Sequence, residues 1–187
     1  MQPREWNTRA CRHRRGFYYP AWRSAASRAR DGPLSASGPD REALGMDLDA
    51  LETSFDLVAP RGGELMEIFY ANLFAAAPEV RPLFAGSDMA RQRQMLLGAL
   101  VLLRKSLRDL DRIVPTLKQL GARHVAYGTR PEHYPVVGEA LIAAMAEVAG
   151  DGWDLRYAAA WEEAFGVVAS AMMAGADEAL AEFALVA

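Results

Sequence analysis

From Asp47 to near the end of the chain, apolar residues recur three and four positions apart, the period that gives an α-helix one inward stripe. No alternating strands joined by a two-residue hairpin signal interrupt the pattern, so the fold class it predicts is all-α. A first helix is expected over residues 47–59, with Leu51, Phe55 and Val58 on one side and a stop at Pro60–Arg61–Gly62–Gly63. The second, over 64–76, carries Leu65, Ile68, Phe69, Tyr70, Leu73 and Phe74, more apolar positions than one buried face needs. Pro78, Pro82 and Gly86 then interrupt regular structure, and Ser87 or Asp88 is placed to cap a third helix. Its stripe is Met89, Gln92, Leu96, Ala99, Leu100 and Leu103, with Gln92 the polar exception.

A fourth helix, starting near Val114–Pro115, puts Leu117, Leu120, Gly121 and His124 in one register and so turns His124 inward. After Gly128, Thr129–Arg130–Pro131–Glu132 has the wording of a capping box with Pro in the first turn. The helix it opens has Val136, Val137, Ala140, Leu141, Ala144, Met145 and Val148 as its face, and Gly150–Asp151–Gly152 ends it. The last helix aligns Ala158, Trp161, Phe165, Val168 and Met172 and runs toward Phe183. Six helices on short connections fit an angled assembly better than a four-helix bundle.

Composition refines this outline. A chain of 187 residues that is 51% hydrophobic can fill one substantial core, so one domain with an appendage is expected. The net charge of −3 is unevenly spread: residues 1–45 hold nine Arg and four acidic residues, a balance of +5, which leaves −8 for residues 46–187. The first stretch has no helical or strand period, and we read 1–45 as a disordered Arg/Ser-rich extension or sequence upstream of a natural start at Met46. A basic arm for nucleic acid and an organelle-targeting peptide are the other readings of that stretch; neither is preferred. The domain is then 46–187. Cys11 is the only cysteine, so no internal disulfide forms. There is no unbroken run of eighteen apolar residues and no secretory core, which together predict a cytoplasmic protein without membrane or nucleic-acid partners.

Candidate chemistry is sparse. Of three histidines, His13 lies in the extension and His133 follows Pro131 at a helix start, leaving His124 as the inward one. An inward imidazole serves either as a buried hydrogen-bonding group or as a metal ligand, and periodicity does not choose between them. Tyr70 and Gln92 are open in the same way, since buried polar groups need some partner. No cysteine-based metal motif exists.

Four stretches narrow these alternatives by resemblance. They are Leu120–Gly121–Ala122–Arg123–His124–Val125–Ala126–Tyr127–Gly128 with Pro131–Glu132–His133–Tyr134–Pro135–Val136–Val137–Gly138; Phe69–Tyr70–Ala71–Asn72–Leu73–Phe74 with Pro78–Glu79–Val80–Arg81–Pro82–Leu83–Phe84; Asp88–Met89–Ala90–Arg91–Gln92 with Leu96; and Trp161–Glu162–Glu163–Ala164–Phe165. In order and wording, residues 47–183 resemble bacterial single-domain globins of the Vitreoscilla type and the globin domain of flavohaemoglobins. The resemblance implies a globin fold, its helices packed at angles around a pocket for haem b (iron protoporphyrin IX). It implies that His124 binds the iron, with the Leu120 carbonyl as acceptor for its other ring nitrogen. Phe84 would pack on the porphyrin, Val137 and Tyr134 would line it, Leu96 would limit the space beside the gas, and Tyr70 with Gln92 would face it.

Three departures accompany the resemblance. The carboxylate that the family pairs with the tyrosine at Tyr134 falls here on Ala176, and Asp177 or Glu178 would serve only if the last helix were shifted. Met95 stands where a basic residue often reaches a haem propionate, a task open to Arg93, Arg123 or Arg130. Thr129 stands where an apolar residue is common. The function implied is reversible binding of dioxygen or a related diatomic gas, including carbon monoxide. A second reading is nitric-oxide dioxygenation with an external reductase, because the sequence has no glycine-rich phosphate loop after a strand. A third is a haem-free globin-fold interaction module. The oligomeric state is left open.

Overall fold

A computed structural model describes residues 46–186. The reading of residues 1–45 as an extension lies outside the described residues. The order is α1 Leu48–Val58, α2 Gly62–Ala76, α3 Met89–Ser106, α4 Val114–Ala126, α5 His133–Ala149 and α6 Leu155–Val186, and there is no strand among the described residues.

Local chemistry explains most boundaries. The Asp47 side chain accepts from the Ala50 amide at 3.0 Å to start α1. Asp88, one of the two expected caps, accepts from Ala90 and Arg91 at 2.9 and 3.3 Å to start α3. Two expectations need correction. Helix α2 begins at Gly62, before Glu64; a Cβ at that position would lie 2.9 Å from Leu97 Cδ2, the movable end of a side chain. The expected capping box at α5 does not form. Gly128, at φ 78°, turns the chain so that the Thr129 amide donates back to the His124 carbonyl at 3.0 Å. The Arg130 amide instead donates to Nδ1 of buried His133 at 3.2 Å, and Glu132 makes no capping bond.

Helices α4 and α6 pack most extensively, α2 lies on α5, and α1 contacts both α5 and α6. The α4–α6 crossing is backbone to backbone: a side chain at Gly121 would run into the Met172 carbonyl, and one at Gly175 into that of Lys118. Across α1 and α6, Trp161 Nε1 donates to Ser54 Oγ at 2.9 Å, and Ser54 donates on to the Ala50 carbonyl at 2.6 Å, so the largest buried side chain has its polar atom satisfied. By length and composition alone α6 could cross a membrane, with mean hydropathy 1.3. Its inward residues Ala158, Trp161, Ala164, Ala169 and Met172 are instead buried against the other helices.

The apolar interior divides in two. A large cluster joins α1, α2, α3, α5 and the start of α6, and includes Phe69, Tyr70, Leu73, Leu100 and Trp161. A smaller one joins Tyr134, Ala169 and Met172, with Leu117, Leu120 and Phe165 packed around it. Helix α5 spans both, placing Val136 and Val137 on the first and Tyr134 in the second.

Candidate functional site

His124 lies in the last turn of α4, where four-residue spacing puts its ring over the Leu120 carbonyl. Nδ1 donates to that oxygen at 2.8 Å, which fixes the ring and leaves Nε2 as the lone-pair nitrogen. Burial, the larger effect, holds the imidazole below its ordinary pKa, while the Leu120 bond works the other way. A neutral imidazole with one nitrogen tied to the backbone and the other available has the form of a metal ligand. Tyr127 packs edge-on against the ring at 5.8 Å between centroids. His133 is spent on Arg130 and does not share this arrangement.

On the large cluster, the crowding of apolar positions on α2 makes an aromatic corner. Tyr70 meets Phe69 at 4.8 Å and Phe74 and Phe84 at 5.8 Å each, and Phe74 meets Phe84 at 5.4 Å. The Arg81 guanidinium covers the Phe74 ring at 4.6 Å. Tyr70 is 5% exposed, and its hydroxyl is hydrogen-bonded to Gln92 of α3. Burial pushes the phenol above its ordinary pKa; the Gln92 bond and the charge of Arg93 pull it back.

Leu96, one turn beyond Gln92, is half-buried on the same cluster with Phe84, Val136 and Val137. Leu83, beside Phe84, is the nearest neighbour of Gly128 at the end of α4, so the aromatic corner and the His124 helix meet at that turn. Tyr70, Phe84, Leu96 and Val137 are thus gathered on one apolar cluster, with Gln92 bonded to Tyr70. His124 stands over Leu120, which belongs to the other.

Tyr134 is placed differently. It is buried in the second cluster, where burial alone raises its pKa. The shifted-helix rescue does not occur: Glu178 is ion-paired with Lys118 at 2.5 Å, and Asp177 is exposed. Arg130 pairs with Glu132 at 3.0 Å, and Arg93 with Glu67 at 3.2 Å. Sequence reasoning weighed Arg93 only for a propionate; its proximity to Tyr70 depends on how α2 crosses α3, which no local pattern encodes.

Comparison with known proteins adds a family. The Globin family model matches residues 67–172. The Flavohemoprotein of Bacillus subtilis (strain 168) is 30% identical over 128 residues, covering 67% of this chain and 32% of that protein. The Flavohemoprotein of Rhizobium meliloti (strain 1021) is 31% identical over 136 residues, covering 72% and 34%. The chain therefore spans about a third of the length of these curated relatives. A solved protein from Pseudomonas aeruginosa PAO1, described as structurally highly homologous to a human hemoglobin, superposes with a TM-score of 0.61 at 27% identity, covering 68% of this chain and 96% of that one.

Proposed function

The chain belongs to the globin family, which supports haem-based gas binding in general, and from that premise we propose that it binds dioxygen reversibly at a haem b iron held by His124. The observation that carries this is the His124 imidazole: neutral through burial, oriented by Leu120 at 2.8 Å, and with Nε2 free. Phe84, Leu96 and Val137 are half-buried apolar side chains on the first cluster, the residue type that a flat apolar group requires. Phe84, Leu96 and Val137 would lie against it, and Tyr134 shares the second cluster with Leu120, the residue that orients His124.

Haem would supply an iron able to take an imidazole and a diatomic gas. The remaining work belongs to the chain. His124 would hold the iron through its Nε2 lone pair, and Tyr70 would offer its O–H to a partly negative ligand oxygen while gaining little from carbon monoxide. Gln92 would hold the phenol through their hydrogen bond, and Leu96 would restrict the space beside it. With Ala176 in place of a carboxylate, Tyr134 has no anionic partner on α6, so His124 keeps the donor strength of a neutral imidazole bonded to a carbonyl.

Visible spectra of the ferric, ferrous and oxygenated protein test this reading, together with His124→Ala. The wild type should give a Soret band and a five-coordinate ferrous form; the variant should lose the latter until imidazole is added. A native ferrous spectrum in His124→Ala would end the assignment. Nitric-oxide dioxygenation with an external reductase is the second reading, favoured by the flavohemoprotein relatives, which are about three times the length of the matched region. Sustained nitrate formation from nitric oxide, with a flavin reductase supplied, would establish it. The haem-free interaction module predicts no Soret band on reconstitution.

A further inference from the structure

Helix α6 outruns the core it packs on. Its side chains join the two apolar clusters as far as Met172 and Met173, and no later residue of the helix belongs to either. Over the end turns Leu180 is 51% exposed, Phe183 74% and Leu185 88%. Leu180 and Phe183, three residues apart, share one side of the helix.

The same turns are acidic. Asp177, Glu178 and Glu182 lie close together, and no Lys or Arg follows Arg156 in α6. Lys118 pairs with Glu178, while neither Asp177 nor Glu182 forms an ion pair with another described residue. Carboxylates near a helix C-terminus oppose its dipole, and Glu178 and Glu182, four apart, repel each other. A segment that brings both cations and apolar surface to this end would relieve the charge and cover Leu180 and Phe183.

The chain carries a segment of that chemistry. From Trp6 to Arg30 there is no acidic residue, and Arg12, Arg14, Arg15 and Arg23 bracket Phe17, Tyr18, Tyr19 and Trp22. Guanidinium groups take carboxylates bidentately, and aromatic rings cover large apolar areas. The balance of +5 for residues 1–45 against −8 for 46–187 draws the two parts together. The reach is sufficient. Arg156 pairs with Asp47, so the first turns of α6 stand beside the point where residues 1–45 join the domain. Leu180 is 24 residues beyond Arg156, about 36 Å along a helix that rises 1.5 Å per residue. Residues 24–45, twenty-two in all, can extend up to roughly 70 Å.

We propose that residues 12–23 dock on the acidic, apolar end of α6 of the same chain, at Asp177, Leu180, Glu182 and Phe183. Tethering supplies an effective concentration on the order of millimolar, so even a weak contact stays largely closed. A second copy of the chain fits less well, because two such ends carry like charge. The docking is independent of haem, and because the end turns lie outside both apolar clusters, covering them adds little to the stability of the core.

Cys11, the only cysteine, borders the segment and reports its position. In the full chain, Ala181→Cys places a thiol between Leu180 and Glu182, Ala184→Cys provides a second reporter one turn on, and Ala99→Cys provides a control on exposed α3. Under mild oxidation at low ionic strength and micromolar protein, the intrachain disulfide with Cys11 should form roughly tenfold faster or more at either α6 position than at the control. The preference should largely vanish in 1 M salt, where the Debye length is about 3 Å, and on Arg14→Glu with Arg15→Glu. Phe183→Ser should weaken it as well. No substituted residue belongs to either apolar cluster, so circular dichroism should match the wild type throughout. Equal rates at the α6 and control positions overturn the proposal, as does a preference that survives both high salt and the charge reversal. Disulfide-linked pairs of chains, growing with protein concentration and without the intrachain product, also overturn it and assign the end of α6 to a second copy.

Discussion

At the scale of single residues, the site depends on which nitrogen or oxygen is already occupied. His124 gives Nδ1 to Leu120, and the Tyr70 hydroxyl is hydrogen-bonded to Gln92. Tyr70→Phe keeps the ring contacts with Phe69, Phe74 and Phe84 and removes only the hydroxyl. Losing a hydrogen bond to a partly charged acceptor, about 1–3 kcal/mol, should speed oxygen release roughly ten- to hundredfold, with carbon monoxide far less affected. Stopped-flow release rates decide this, and a rate unchanged from wild type would remove the hydroxyl from the mechanism. Adding Gln92→Leu should be less than additive, because the glutamine acts through the tyrosine it holds. His124 also makes a pH signature in the haem-free protein. Its folded pKa is below the ordinary 6.5, so as pH falls through 6.5 the unfolded chain takes up a proton that the folded one resists. Its contribution is fully present above that pH and is lost on acidification. Glu139, Glu162 and Glu163, raised above 4.5 by burial, act with the opposite sign closer to that value. Urea titrations of wild type and His124→Phe separate the two: the stability difference between them should shrink as pH drops below about 6.5. A difference that stays constant would contradict the burial argument.

At the scale of elements, the position of His124 depends on how closely α4 approaches α6. Gly121 lies three residues before it and has no room for a side chain against the Met172 backbone. In an exposed helix, Gly→Ala would be stabilising by about 1 kcal/mol through propensity. Here the added methyl meets a carbonyl that belongs to another helix and cannot rotate away, so steric cost should win, with a net loss of about 1–3 kcal/mol or more. Gly121→Ala should therefore lower the urea midpoint and loosen haem retention together, since the same displacement moves the imidazole. Retained stability would mean that the two helices separate more readily than this packing implies. Gly138 plays a related part between α5 and α6, where a Cβ would lie 2.8 Å from Phe165 Cδ1, but an aromatic ring can shift and a backbone cannot.

At the scale of the whole molecule, the described helices carry both the family match, residues 67–172, and the candidate site. Residues 1–45 differ in charge and have no periodic apolar face with which to join that core. We propose that a chain starting at Met46 folds and binds haem as the full chain does. Equal melting temperatures and equal Soret absorbance per protein are the expected result, and a large fall in either would make the first 45 residues part of the structure. Ion pairs tie α1 to its neighbours, with Asp47 on Arg156, and Asp56 and Glu52 on Arg104. These are exposed or half-exposed pairs that contribute little individually, so the burial of Leu51, Phe55 and Val58 is what holds α1 in place.

Helix periodicity is local, and whatever it governs was legible in the sequence: six helices, the Asp88 cap, the inward turn of His124, and the aromatic crowding of α2. The Leu120 acceptor for His124 was implied by the resemblance, and it is met within one helix, four residues back. The gathering of Tyr70, Phe84, Gln92 and Leu96 followed from resemblance, not from spacing, since they lie on three separate segments. What tertiary structure alone decided depends on atoms brought together from distant parts of the chain. Gly121 and Gly175 read as weak points in helices until α4 and α6 are seen to touch through their backbones. Thr129 reads as a cap until the turn at Gly128 sends its amide back to α4, and His133 takes over the Arg130 amide. Arg93 reads as a surface cation until α2 covers its Nε. Burial and close approach are properties of pairs far apart in sequence, here 26 residues for Arg93 and Glu67 and 107 for Ser54 and Trp161, and no period along one strand of sequence records them.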